Sequence, residues 1–143
     1  MSAAPIIPMN PNHRALACAV FCLVAGCSSA SPTAGPITVT TASGALRIVA
    51  QPIPNPPTRG TIEVDLDITD AVTGSPQDGL TLTVTPWMPA MDHGTSIVPS
   101  VTARGQGLYD VTNIDLFMSG TWDLDLAFSG SLVDHAVVEF SIP

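Results

Sequence analysis

The chain contains no lysine, and its four arginines, Arg14, Arg47, Arg59 and Arg104, face twelve carboxylates. Proteins that grip nucleic acid neutralise phosphates with Lys and Arg, so this charge balance excludes a nucleic-acid partner. Cysteine is almost as scarce. Cys18, Cys22 and Cys27 all fall near the N-terminus, which leaves the rest of the chain with neither a disulfide nor a thiolate metal site. Long apolar runs are missing too. The stretch from Ala15 to Gly26 carries no charge but falls short of the roughly 20 residues that cross a bilayer. Catalytic signatures are also lacking: there is no G-x-S-x-G elbow and no phosphate-binding or dinucleotide glycine pattern. Asp92, His93 and Ser96 are the residue types of a triad, but a triad converges from separate elements and these are packed into one short segment. The chain is read as a non-enzyme.

What is present begins with a targeting segment. Arg14 precedes the apolar run, which ends in Leu23-Val24-Ala25-Gly26-Cys27. Small residues before the cysteine give a peptidase access to the backbone, and the thiol is then the acceptor for a diacylglycerol. Ser28 to Pro36 follows as a flexible tether. Ser28, rather than Asp, after the cysteine is the pattern of lipoproteins sent on to an outer membrane. Met9 is an alternative start to Met1. The organisation expected is a signal peptide over residues 1–26, a lipidated Cys27 with its tether over 27–36, and one domain over 37–143, held at a membrane by its acyl chains.

The domain alternates with period two and shows no helical periodicity. Ile62, Val64, Leu66 and Ile68 share one face of Thr61–Ile68, with Glu63, Asp65 and Asp67 on the other. Leu80, Leu82 and Val84 alternate with threonines until Pro86, which is expected to stop the strand. Tyr109–Leu116 carries an irregularity near Thr112-Asn113. Trp122, Leu124, Leu126 and Phe128 form another inward row, as do Ala136, Val138, Phe140 and Ile142. Shorter strands are expected at Ile37–Thr41, Leu46–Ala50 and Ser96–Val101. The proline-rich Gln51–Gly60 reads as an extended connector or irregular edge, and Val72–Gly79 and Gly105–Gly107 read as hairpin turns. This pattern predicts an all-β fold, an immunoglobulin-like antiparallel β-sandwich of about seven strands.

The densest chemistry lies in Trp87-Met88-Pro89-Ala90-Met91-Asp92-His93-Gly94. Thioethers are soft ligands that suit Cu(I), and imidazole suits copper in either oxidation state. Met88, Met91 and His93, joined by Met118 ahead of the turn at Ser119-Gly120, make a candidate Cu(I) site. His135 is a further candidate. The opposing reading makes Met88 and Trp87 a plug for the open end of the sandwich, with Met118 as plain core, since methionine readily fills gaps. Asp65, Asp67, Asp123 and Asp125 offer oxygens of the kind calcium takes, but side chains on a flat sheet face seldom converge on one ion.

The succession Trp87-Met88-Pro89-x-Met91-x-His93-Gly94, Gly105-x-Gly107-x-Tyr109 and Leu116-Phe117-Met118-x-Gly120-x-Trp122-x-Leu124 resembles the YtkA-like/FixH-like domain, over Gly60 to Pro143. The resemblance implies a small immunoglobulin-like sandwich, often a bacterial envelope lipoprotein or a membrane-tethered periplasmic module. For FixH-like proteins it implies an association with copper supply and cytochrome oxidase assembly. This chain carries a lipobox where FixH itself has a transmembrane helix. Two functions are expected from these residues. One is a lipid-anchored, periplasm-facing protein that binds or delivers copper. The other is a non-catalytic envelope module whose Trp87-Met88 loop contacts a protein partner.

Overall fold

A computed structural model describes residues 35–143. The expected signal peptide, Cys27 and the expected tether as far as Ala34 lie outside the described residues. The chain runs β1 (Ile37–Thr40), β2 (Leu46–Ile53), β3 (Gly60–Asp70), β4 (Thr81–Met88), a short 3-10 turn (Pro89–Met91), β5 (His93–Gly94), β6 (Ser100–Gly105), β7 (Leu108–Leu116), β8 (Gly120–Ser129) and β9 (Asp134–Ile142). Among the described residues no helix is long and apolar enough to cross a membrane.

Two antiparallel sheets form the sandwich, one ordered β1-β2-β3-β7-β6 and the other β5-β4-β8-β9. The chain changes sheet after β3, β5 and β7, which is the immunoglobulin-like arrangement anticipated from the alternation. The described residues form nine strands rather than about seven because short edge pieces such as β5 pair as strands in their own right. The inward rows close the core: Ile62, Val64, Leu66 and Ile68 of β3 face Trp122, Leu124, Leu126 and Phe128 of β8 and Val138 and Phe140 of β9, all buried. Burying an aliphatic or aromatic side chain stabilises by about 1.5–3 kcal/mol, so period-two burial on both sheets supplies the fold's driving force.

Local departures from expectation each have a cause. The irregularity at Thr112-Asn113 is a bulge: Ile62 pairs with Ile114 but Val64 with Val111, and Asn113 takes a positive φ of 60°. Strand β4 does not stop at Pro86 but continues through Trp87 to Met88. A Cβ placed on Gly94 would come within 2.8 Å of the Pro86 carbonyl oxygen, so Pro86 turns its backbone towards β5. Its missing N–H therefore costs the β8 ladder nothing. Similarly, β2 runs on to Ile53 despite Pro52, because β1 pairs only with Arg47–Ala50 and leaves Pro52 with one ladder to serve. The strand expected from Ser96 begins instead at Ser100. Ser96–Pro99 carry the chain between sheets, opened by a Thr95 hydroxyl that accepts the Ile97 N–H at 3.1 Å. Val72–Gly79 is likewise a crossing between sheets and not a hairpin turn. Gly105–Gly107 is the hairpin turn expected, joining β6 to β7.

Two carboxylates hold these connections. Asp70 accepts the N–H groups of Val72 and Thr73 and the Thr73 hydroxyl. Asp134 takes the Ser43 hydroxyl and the His135 N–H, tying the β1–β2 turn to the start of β9. These donors favour the ionised form. The backbone N–H of Thr73 chiefly lowers the Asp70 pKa, and the Ser43 hydroxyl chiefly lowers that of Asp134, well below the ordinary carboxylate range. A depressed folded-state pKa gives stability that is present above the unfolded value, about 3.9, and lost as pH falls through the folded one. Denaturation midpoints are therefore expected to fall as pH drops below about 4. A variant carrying Asp70→Asn and Asp134→Asn should show a shallower acid limb in chemical-denaturation curves taken across that range. An unchanged limb would discount both bonds.

Candidate functional site

Among the described residues, one end of the sandwich gathers the three methionines, Met88, Met91 and Met118, with the aromatic rings of Trp87, Phe117 and Trp122. Pro89 opens the 3-10 turn with its φ already set, and Asp92 ends it in the left-handed region (φ 54°), donating its N–H to the Pro89 carbonyl at 3.3 Å. This reversal aligns His93 opposite Met88 and Gly94 opposite Trp87. Residues directly opposite on an antiparallel pair share a face, so the imidazole turns inward beside Met88. Gly94 lets the Trp87 ring lie against it on the other face, where a Cβ would stand 3.3 Å from that ring.

The imidazole is held on three sides. It stacks on Phe117 (centroids 5.6 Å apart, planes 19°) and meets Trp122 edge-on at 6.0 Å, while Phe117 and Trp122 meet edge-on at 5.5 Å. Its Nδ1 lies 3.1 Å from the Gly94 carbonyl oxygen. A carbonyl can only accept, so the bond requires the proton on Nδ1 and leaves the Nε2 lone pair uncommitted in the neutral ring. Trp122 is fully buried and donates its indole N–H to the Met118 carbonyl at 3.0 Å, which fixes the β7–β8 turn against the same cluster.

The sequence-derived candidates sit at different depths here. Met88 is only 4% exposed and part of the core, its terminal methyl lying over Gly120. Met118 is half-buried and packs on the core edge. Met91 is 54% exposed on the 3-10 turn, which abuts β8. His93 is half-buried between them. His135 lies apart, on the exposed face of β9 opposite Ala127. Cys27 is outside the described residues. Sequence reasoning did not single out Phe117, which is 46% exposed and flanks the imidazole. Its position next to Met118 in a chain with few aromatics was the available signal. Among the described residues no three His, Cys, Asp or Glu side chains are gathered as metal ligands. The side-chain donors at this end are thioethers and an imidazole.

Fold and site together define a small antiparallel β-sandwich with a methionine- and histidine-bearing loop packed over one end. The family model described as YtkA-like matches residues 41–127, well over half of the chain, and the protein belongs to that family. The match begins earlier than Gly60 and takes in the β2 region, while β9 lies beyond it. No curated protein and no solved structure matches the chain.

Proposed function

We propose that this YtkA-like protein is a lipid-anchored, periplasm-facing β-sandwich that binds Cu(I) at its methionine/histidine end and buffers it or passes it on. The supporting observation is the orientation of His93, whose Nδ1 is engaged by a backbone carbonyl while Nε2 is left open. Ligating histidines are commonly held this way, through the nitrogen that does not bind the metal. Two thioethers, from Met118 and from either Met91 or Met88, which stands opposite His93 in the strand pairing, would complete a three-coordinate set. The set is soft and neutral, which suits a monovalent soft ion. Exposure of Met91 gives copper a way in and out.

The purified protein, titrated with Cu(I) against a competing chelator, is expected to lose affinity by about a hundredfold, about 3 kcal/mol, when Met91→Ala and His93→Ala are combined. Equal affinity in wild type and double variant removes the reading. The anchor is supported by Leu23-Val24-Ala25-Gly26-Cys27. Cys27→Ala is expected to abolish incorporation of a labelled fatty acid and move the protein from the membrane fraction to the soluble one. Retention in the membrane without label would count against lipidation. A partner contact through Trp87 and Met88 has less support, because Met88 is buried. Met91 and Phe117 are exposed apolar side chains at this end, open to a recipient of the metal.

A further inference from the structure

Among the described residues the sandwich has four edge strands, and three of them are short or bulged. Unpaired edges invite pairing with another chain, and proteins blunt them by shortness, charge or bulges. Strand β1 has four residues and β5 has two. Strand β6 is bulged between Ala103 and Gly105, with Arg104 paired to Asp110. Strand β9 is neither short nor bulged, although it carries Asp134 and Glu139 and the end of β1 packs beside it. Its nine residues pair with β8 in unbroken register from Asp134 to Ile142, without lysine or proline.

Its outer edge can be read from one bond. The His135 carbonyl accepts the Ala42 N–H at 2.8 Å from outside the β8 ladder. Backbone groups alternate sides along an antiparallel strand, so Val137, Glu139 and Ser141 direct theirs outward as His135 does. Among the described residues no strand pairs with β9 on that side. The side chains beside this edge are acidic: Glu139 stands opposite Asp123, and Asp125 opposite Val137. Neither β5, β4, β8 nor β9 carries an arginine; Arg47 and Arg104 belong to the other sheet and Arg59 to its approach.

A second copy fits this edge poorly. The antiparallel register that engages all three outward residues sets Glu139 against Glu139 of the copy, and directly opposed like charges are destabilising. Shifting by one pair leaves only two of the three engaged, because the His135 carbonyl is already taken. Each copy also carries a formal charge of −8.

We propose that β9 receives an extended, basic segment of another protein as an added strand, with a Lys or Arg standing opposite Glu139 and close to Asp123 and Asp125. Main-chain hydrogen bonds to Val137, Glu139 and Ser141 supply affinity, and the carboxylates supply selection. The test uses the isotopically labelled full chain and two capped peptides that alternate Val or Thr with either Lys/Arg or Glu. The basic peptide is expected to shift the amides of Val137, Glu139 and Ser141 and slow their exchange, and to bind at least about tenfold more tightly than the acidic one. Glu139→Lys, an exposed position, is expected to weaken or reverse that preference. Val137→Pro, which removes an outward N–H and leaves the β8 ladder intact, is expected to abolish binding. Shifts elsewhere, or equal binding of both peptides, overturn the proposal. So does protection of these three amides without peptide together with dimeric sedimentation, which would assign the edge to a second copy.

Discussion

Gly107→Ala is expected to be the most damaging small substitution in the domain, costing about 3–5 kcal/mol. Gly107 is buried where the β6–β7 turn passes under the crossing from β3 to β4, with a φ of 77° that L side chains adopt only with strain. A Cβ there would stand 2.4 Å from the Ile68 carbonyl oxygen, 3.2 Å from the Gln77 nitrogen and 3.3 Å from the Pro76 Cα. All three are backbone atoms, which cannot swing aside. Moving the turn away would strain the hydrogen bonds from Ile68 N–H to the Gly107 carbonyl (2.8 Å), from Gly107 N–H to Asp78 (2.8 Å) and from Gln77 N–H to the Ile68 carbonyl (2.9 Å). Each contributes about 1 kcal/mol net and more if left buried and unmade. Gly105→Ala is the internal control. Its φ of 85° imposes similar backbone strain, but a Cβ there meets nothing within 4 Å, so the expected loss is only about 1–2 kcal/mol. Denaturant unfolding of the two variants separates collision from backbone strain. Equal losses would show that the packing against Ile68 matters little.

The contrast between these glycines also marks where the sequence is informative and where it is not. Strands β3, β8 and β9 were legible because apolar residues recur at every second position and one face of each sheet is buried, which leaves a single workable register. The bulge at Asn113 was visible as polar residues interrupting that rhythm. Crossings between sheets were not legible. A hairpin turn and an inter-sheet connection use the same Gly, Pro and Asp chemistry, and only long-range pairing distinguishes them, as Val72–Gly79 demonstrates. Prolines misled for a related reason: Pro52 and Pro86 forbid one hydrogen bond each, and whether it matters depends on which side of the strand has a neighbour. At the candidate site, the spacing of Met88, Met91 and His93 was plain, but their depths were not. Met88 continues the inward row of β4, whereas Met91 lies on the 3-10 turn beyond the strand's end. That row was obscured by Pro86 and by Trp87 on the opposite face.

Trp122→Ala is expected to cost about 3–5 kcal/mol, the range for removing a large aromatic from a core, because the indole is fully buried on β8. The loss has a second component that ordinary core substitutions lack. The indole N–H satisfies the Met118 carbonyl, and the ring edge flanks the His93 imidazole. Trp122→Phe separates the components. Phenylalanine keeps an aromatic edge near His93 and Phe117 but orphans the Met118 carbonyl, at a cost of about 1–3 kcal/mol on top of the smaller cavity. If the β7–β8 turn holds Met118 for Cu(I), Trp122→Phe should weaken copper binding while His93 stays stacked, a condition checked by the imidazole proton shifts. A variant that is merely less stable, with Cu(I) affinity unchanged at temperatures where it remains folded, would assign Trp122 to the core alone. The same experiment bears on Met118 independently of Met91 and His93, because it is expected to move one sulfur without deleting any of the proposed ligands.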